Sequence, residues 1–285
     1  MIFSFAGHDA LATSIAEKLN SAMGEYTLHQ FPDGESYARV LSDCTNQEAV
    51  IIANMHKPND KLLPLSFLCD AIRRQGASKI TLIAPYLPYM RQDIQFNPGE
   101  SITSRVFAGL VSATVDKLIT IDPHLHRYHS LDEIYTCETV TLSAMTAVGE
   151  WITANITNPL IIGPDSESEQ WAKTTAENIQ CDFLVLEKHR HGDRDVDIDM
   201  PDISRFSDHT PVLVDDIIST GRTMIETATH LQEMGLRRPV CIGVHGVFSE
   251  DDYQKLCAAY VEQVVTCDTV VHESNGIGMV DTLAQ

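Results

Sequence analysis

Two adjacent carboxylates and a hydroxyl-rich turn stand a few residues apart in "VLVDDIISTGRT", residues 212–223. Asp215 and Asp216 can accept hydrogen bonds from vicinal hydroxyls. Ser219, Thr220, Gly221 and Thr223 offer hydroxyls and backbone N–H groups where a helix would begin, a natural cradle for an anion. Carboxylates repel phosphate, so one ligand satisfies both groups only if its hydroxyls and its phosphate lie at opposite ends. A ribose 5-phosphate is built that way. A capped helix alone needs one such side chain, not five residues of this kind.

Other segments carry chemistry more weakly. "FPDGE" (31–35) reads first as a turn between strands. In "PYMRQD" (88–93), Arg91 has the paired donors that suit phosphate. "DPHLHRYH" (122–129) places His124 and His126 at i, i+2 with Asp122 nearby, a spacing that would also suit zinc in a metal-dependent hydrolase. No third cluster of His and acids supports that reading, and His126 and His129 receive no role. In "LEKHR" (186–190), Lys188 and Arg190 alternate along an extended segment and open a charged stretch to residue 206 that reads as a long exposed flap.

The elements that must hold these groups are legible as a rhythm. Apolar, β-branched runs at 49–55, 79–86, 117–122, 160–165, 182–188, 211–216 and 240–248 read as strands. Between several lie amphipathic stretches such as "LPLSFLCDAIRRQGA" and "TMIETATHLQEMGL", apolar at i, i+3, i+4 and i+7 and closing on Gly. Strand–helix–strand alternation with continuous apolar strands predicts an α/β fold with mostly parallel sheets. The alternation restarts at Leu160, which sets a domain boundary near residue 145 and two units, 1–145 and 146–285. The chain of 285 residues accommodates two cores. Its net charge of −20 argues against a nucleic-acid-binding surface. No run approaches the roughly 20 apolar residues of a membrane span, and the start lacks a signal-peptide layout. Seven cysteines, none in a C-x-x-C pair, fit reduced thiols in a cytoplasm.

V-D-D-x-x-x-T-G-x-T resembles the phosphoribosyl diphosphate (PRPP) motif shared by type I phosphoribosyltransferases and ribose-phosphate diphosphokinases. Two half-length units and the remaining segments resemble the second family from end to end, in a short archaeal-like form. The resemblance implies two tandem type I phosphoribosyltransferase-like domains. It also implies a reaction, ATP plus ribose 5-phosphate giving AMP plus PRPP, with Mg²⁺ as cofactor. Phe31, Asp33, Gly34 and Glu35 would bind ATP across a dimer interface, as F-S-D-G-E does in that family. Arg91, Gln92 and Asp93 would join them, His124 would organise the Mg²⁺–ATP complex, and Asp165 would serve metal and ribose. Lys188 and Arg190 would be the catalytic cations of the flap. Asp215, Asp216, Ser219, Thr220, Gly221, Arg222 and Thr223 would bind ribose 5-phosphate.

Three departures mark this chain. "GPDSESEQWA" (163–172) offers Glu167, Ser168, Glu169 and Gln170 where the family has Gly-Gly and Arg, while Ser219 and Arg222 stand where the common bacterial form has Asp and Gly. The chain is also shorter than most members, so the resemblance does not carry over the family's usual ADP-responsive site or its hexameric assembly. A homodimer or larger homo-oligomer is expected, with no nucleic-acid or membrane partner. The rival reading is a non-catalytic homologue that binds ribose phosphates or regulates a true synthetase. Such a protein should lack the flap cations.

Overall fold

The computed structural model describes residues 1–190, 196–199 and 204–285, apart from the side chains of residues 187–190, 196–199 and 204. The chain forms two compact units. The first comprises residues 1–142 with 269–271 and 280–285, and the second comprises residues 143–268 with 272–279.

The first unit holds strands β1 (Ile2–Phe5), β2 (Tyr26–Gln30), β3 (Ser36–Val40), β4 (Glu48–Ala53), β5 (Lys79–Ile83), β6 (Lys117–Ile121) and β7 (Glu138–Leu142). Its helices are α1 (Asp9–Lys18), α2 (Leu62–Arg74) and α3 (Thr103–Ser112). Strands β1-β4-β5-β6-β7 form one parallel sheet in chain order. The apolar runs make it because parallel strands covered on both faces need continuous hydrophobic sequence. Helix α2 shows the matching helical rule: Leu65, Leu68, Cys69 and Ile72 are buried at i, i+3, i+4 and i+7. They pack with Phe3, Ile51, Leu82, Phe107 and Leu118 into one core. Truncating such a residue to Ala typically costs about 2–5 kcal/mol. Strands β2 and β3 stand apart as an antiparallel hairpin whose residues are mostly half-buried or exposed.

The second unit opens with α4 (Met145–Asn155), then β8 (Pro159–Gly163), α5 (Glu169–Ile179) and β9 (Phe183–Val185). Strands β10 (Glu187–Arg190) and β11 (Val196–Asp199) form an antiparallel ladder, Lys188 opposite Ile198 and Arg190 opposite Val196. The sequence reads an extended start and a long exposed flap from residue 188 to 206; in the described part, the start is paired strand and Ser204–Phe206 is a 3₁₀ turn. Next come β12 (Thr210–Ile218), α6 (Arg222–Glu233), β13 (Val240–Gly246), α7 (Glu250–Ala258), β14 (Gln263–Cys267) and β15 (Asn275–Ile277). The parallel sheet runs β15-β14-β13-β12-β8-β9. From β8 the chain moves outward to β9 and then returns to the other side of β8 with β12. The strand order therefore reverses between β8 and β12, and in open α/β sheets the crevice at the carboxyl ends of such a reversal is the general ligand position. The first unit's sheet runs in chain order and has no such reversal. Helix α6 buries Met224, Thr227, Ala228 and Leu231 against a core of Leu160, Ile162, Leu213 and Cys241.

Candidate active site

The acids of the second unit sit at the strand reversal. β12 is longer than its sequence signal and runs to Ile218, so Asp215 and Asp216 lie inside the strand and not at its tip. On the β8 side, however, the ladder stops at Leu213 paired with Ile162. Asp215 and Asp216 thus lie beyond the last β8 pair while β12 stays fastened to β13, with Asp215 opposite Gly243. Asp216 is buried at 3% exposure and Asp215 is half-buried, its Oδ1 accepting the Asp216 backbone N–H at 3.0 Å. Burial, then the neighbouring charges of Asp216 and Asp165, hold the Asp215 carboxyl well above the usual carboxylate range.

Asp165 follows β8. Its Oδ1 caps a short 3₁₀ turn, accepting from Glu167 N at 3.1 Å and Ser168 N at 3.2 Å, while Ser168 Oγ accepts from Asp165 N at 3.2 Å. This reciprocal capping box explains the D-S-E-S sequence locally and leaves the second carboxylate oxygen outside the cap. Three carboxylates therefore converge on the crevice, close enough for Asp165 to be felt at Asp215.

The turn after β12 completes this half. Ser219 and Thr223 are half-buried and Thr220 is exposed. Gly221 takes a left-handed φ of +68° and caps α6. Helix α6 begins at Arg222, so the N–H groups of its first turn have no acceptor within the helix. Arg222 itself is 84% exposed, with its Nε on Glu226 Oε1 at 2.7 Å. Lys188 and Arg190 fall on β10, and their side chains lie outside the described residues.

The first unit gathers its predicted residues in three loops. "FPDGE" is the tip of the β2–β3 hairpin, closed by Phe31 N donating to Glu35 O at 2.7 Å and Glu35 N to Asp33 Oδ1 at 3.1 Å, with Gly34 at φ +93°. Phe31 is 45% exposed and meets His29 edge-on at 5.0 Å, while His29 stacks on Tyr37 at 4.5 Å. A polar hairpin thus carries an exposed aromatic cluster.

The loop after β5 brings Arg91, Gln92 and Asp93. Arg91 is exposed and has no ion pair among the described residues. Gln92 Nε2 reaches Ile94 O and Glu100 Oε2, each at 3.2 Å. Asp93 is buried, and its Oδ1 accepts from Arg127 Nη1 at 2.7 Å. The loop after β6 opens at Asp122 with φ +33° and carries His124, half-buried, whose Nδ1 lies 3.1 Å from His126 Nε2. His126, given no role by spacing alone, thus lies within hydrogen-bond distance of the His124 ring. Arg127 also escapes a reading of the sequence. Its partner is 34 residues away, and no local period announces it.

A parallel sheet with a strand reversal, acids at that reversal and a Ser/Thr/Gly turn opening a helix define a protein of the phosphoribosyltransferase class. The phosphoribosyl transferase domain family matches residues 130–282, and the family described as the N-terminal domain of ribose phosphate pyrophosphokinase matches residues 1–114. The chain belongs to the ribose-phosphate pyrophosphokinase family. The ribose-phosphate pyrophosphokinase of Sulfolobus acidocaldarius is 30% identical over 88% of this chain and 86% of its own. That of Methanobrevibacter smithii is 29% identical over 100% of this chain and 98% of its own. The crystal structure of phosphoribosylpyrophosphate synthetase from Mycobacterium smegmatis shares the fold, with a TM-score of 0.86 at 23% identity, covering 100% of this chain and 96% of that one.

Proposed function

We propose that the chain is a ribose-phosphate pyrophosphokinase that transfers the diphosphoryl group of ATP to the 1-hydroxyl of ribose 5-phosphate. The new bond joins O1 of the ribose to the β-phosphorus of ATP. The bond between the α,β-bridging oxygen and the β-phosphorus breaks, AMP departs and the hydroxyl proton is lost. The second unit's strand–turn–helix, with carboxylates for a ribose and a cradle for its phosphate, supports the acceptor, and the observation that carries the ATP-dependent reading is the match of residues 1–114 to the N-terminal domain of ribose phosphate pyrophosphokinase.

On that strand–turn–helix Asp215 and Asp216 accept hydrogen bonds from the ribose hydroxyls. Ser219, Thr220 and Thr223 donate to the 5-phosphate through hydroxyls, and the turn from Ser219 to Thr223 adds backbone N–H groups. Arg222, turned to Glu226, contributes its backbone and not its guanidinium. In the first unit, Phe31, Asp33, Gly34, Glu35, Arg91 and Gln92 bind ATP, and His124 meets its phosphates. Lys188 and Arg190 neutralise the migrating group, since phosphoryl-type transfer is accelerated mainly by positioning and charge stabilisation.

The residues present suit magnesium. Asp165, Asp215 and Asp216 are hard oxygen donors, and the Asp215 carboxyl, raised first by burial and then by the charges of Asp216 and Asp165, sits where a cation would stabilise its ionised form. His124 is the further candidate ligand in the first unit. When bound, Mg²⁺ neutralises phosphate charge and polarises the reacting phosphoryl group.

The functional division follows a boundary near residue 145, with nucleotide segments before it and the ribose phosphate site and flap after it. The exposed aromatic hairpin tip supports a homo-oligomer in which Phe31 serves a neighbouring copy. Among the described residues no helix is long and apolar enough to cross a membrane; reduced cysteines support a cytoplasmic setting. Lys188 and Arg190 are both present, which weighs against the non-catalytic reading.

The test is direct. The protein is mixed with ribose 5-phosphate, Mg²⁺ and ATP, and the nucleotide product is identified. AMP together with PRPP is expected. ADP would mean an ordinary kinase, and ribose 5-phosphate binding without turnover would return the regulatory reading.

A further inference from the structure

Asp93 closes the R-Q-D segment, yet it faces inward. Its side chain is 3% exposed and meets Arg127, whose side chain is 47% exposed, at 2.7 Å. Its backbone is held too: Tyr128 OH donates to Asp93 O at 3.1 Å. Tyr128 is in turn buried, takes a hydrogen bond from Arg105 Nε at 3.3 Å and lies 3.3 Å from Ser104 Oγ. One residue earlier, Gln92 O accepts from Ser104 N at 3.2 Å. The Gln92–Asp93 backbone is therefore gripped by the start of α3 and by the loop after β6. That second loop also carries His124 and His126. The Arg127 guanidinium lies 5.4 Å from the Phe96 ring centre, so it is fixed on a second side.

We propose that Asp93 and Arg127 form a positioning pair that locks the Arg91–Gln92 segment to the His124 loop, so that the two loops present one rigid nucleotide-binding edge. In this reading Asp93, placed with the nucleotide residues by the resemblance, acts by positioning Arg91 and Gln92, because its carboxylate is turned inward to Arg127. Arg91, exposed and without an ion pair among the described residues, reaches outward, while the residues after it are pinned. Asp93 alone of the pair is buried, and a buried carboxylate held by a half-exposed cation is a poor device for stability alone; the best-attested use of such a charge is to fix one arrangement among several. The guanidinium suits that use because it meets Asp93 and the Phe96 ring at once, and a lysine can keep the charge but replaces that geometry only in part. This inference rests on the nucleotide-binding reading of the first unit.

The experiment compares wild type with Arg127→Gln, Arg127→Lys, Asp93→Asn and the Asp93→Asn/Arg127→Gln double variant. PRPP synthesis is followed with ATP varied and then with ribose 5-phosphate varied. Binding of α,β-methylene-ATP with Mg²⁺ is measured by calorimetry, without turnover. Arg127→Gln is expected to raise KM for ATP and weaken the analogue by about tenfold, while KM for ribose 5-phosphate stays within about twofold. Arg127→Lys is expected to recover part of that loss. The double variant should be no worse than the poorer single one, since both remove one interaction. Equal rises in both KM values, or a fall in melting temperature with analogue binding unchanged, overturns the proposal and leaves the pair a fold element. If Arg127→Gln does not fold, Arg127→Lys and Asp93→Asn still report on the analogue. A wild type that binds the analogue but makes no PRPP refutes the proposed reaction and not the pair.

Discussion

Gly221→Ala puts the phosphate cradle under a measurable load. At φ +68° an alanine would hold a left-handed backbone, which costs about 1–2 kcal/mol. Its Cβ would also lie 3.3 Å from Leu256 Cβ and 3.4 Å from Leu256 Cδ2, on a leucine that is fully buried in α7 and cannot swing away. The combined load is therefore on the order of 1–3 kcal/mol. It can be released in two ways. If the turn distorts, its donors leave the phosphate, and KM for ribose 5-phosphate rises roughly 5- to 150-fold at about 1.4 kcal/mol per decade. If the turn holds, the load appears as lost stability, roughly 2–4 °C of melting temperature per kcal/mol. Gly235→Ala is the control. Gly235 follows α6 at φ +76°, and no heavy atom lies within 4 Å of the point an alanine Cβ would occupy. It therefore carries the backbone cost without crowding and away from the crevice. It should lower the melting temperature and leave KM unchanged. Steady-state kinetics and thermal melts on both variants decide the matter. A Gly221→Ala protein with wild-type KM and wild-type melting temperature would refute the assignment of the turn and the geometry behind it.

Lys188→Ala should lower turnover at least about a hundredfold, a transition-state loss of roughly 2.7 kcal/mol or more; near-normal turnover removes the lysine from catalysis. Asp215→Asn should raise the melting temperature of magnesium-free protein at pH 8, with the gain shrinking toward pH 4. The sign follows from the raised Asp215 pKa: the folded chain favours the protonated carboxyl, and that contribution is lost as pH rises through the folded-state value. A pH-independent difference would show that burial and the neighbouring acids do not raise this carboxyl. Phe31→Ser removes a half-exposed ring and its edge contacts to His29 and Tyr37, so stability should fall by no more than about 1.5 kcal/mol while KM for ATP rises; an unchanged KM excludes the hairpin tip from the nucleotide site.

Periodicity makes much of the fold legible. The runs that form β4, β5, β6 and β8 start and end within about two or three residues of their sequence signals, because buried parallel strands need unbroken apolar sequence. The stripes of α2 and α6 are equally plain. β1 escapes notice because Ile2–Phe5 is only four residues long, too short for a period to emerge. β2 and β3 escape it for a different reason: much of the hairpin is exposed, so its sequence need not alternate strictly, and only the P-D-G turn between its strands announces it. In the site, the acids and the cradle are visible because they are contiguous in sequence. The Asp93–Arg127 pair and the His124–His126 contact are not, since both depend on how loops return at the end of a sheet.

The acids of the second unit explain why a chain of net charge −20 can still select a phosphorylated ligand. Charge repulsion at long range is screened beyond about 8–10 Å at moderate ionic strength, so the global sign matters little inside the crevice. What matters is order within it. Asp215 and Asp216 lie on β12 before its end, and the hydroxyls and N–H groups begin three residues further on, at the helix start. A phosphate placed among the acids would meet repulsion from three carboxylates, whereas a phosphate at the turn meets only donors. A sugar phosphate can therefore enter in one direction, and that direction leaves the anomeric end toward the acids, where a cation would be drawn. The same residues that create the electrostatic strain at Asp215 thus set the orientation of the acceptor. Relieving that strain by Asp215→Asn should cost orientation even as it adds stability.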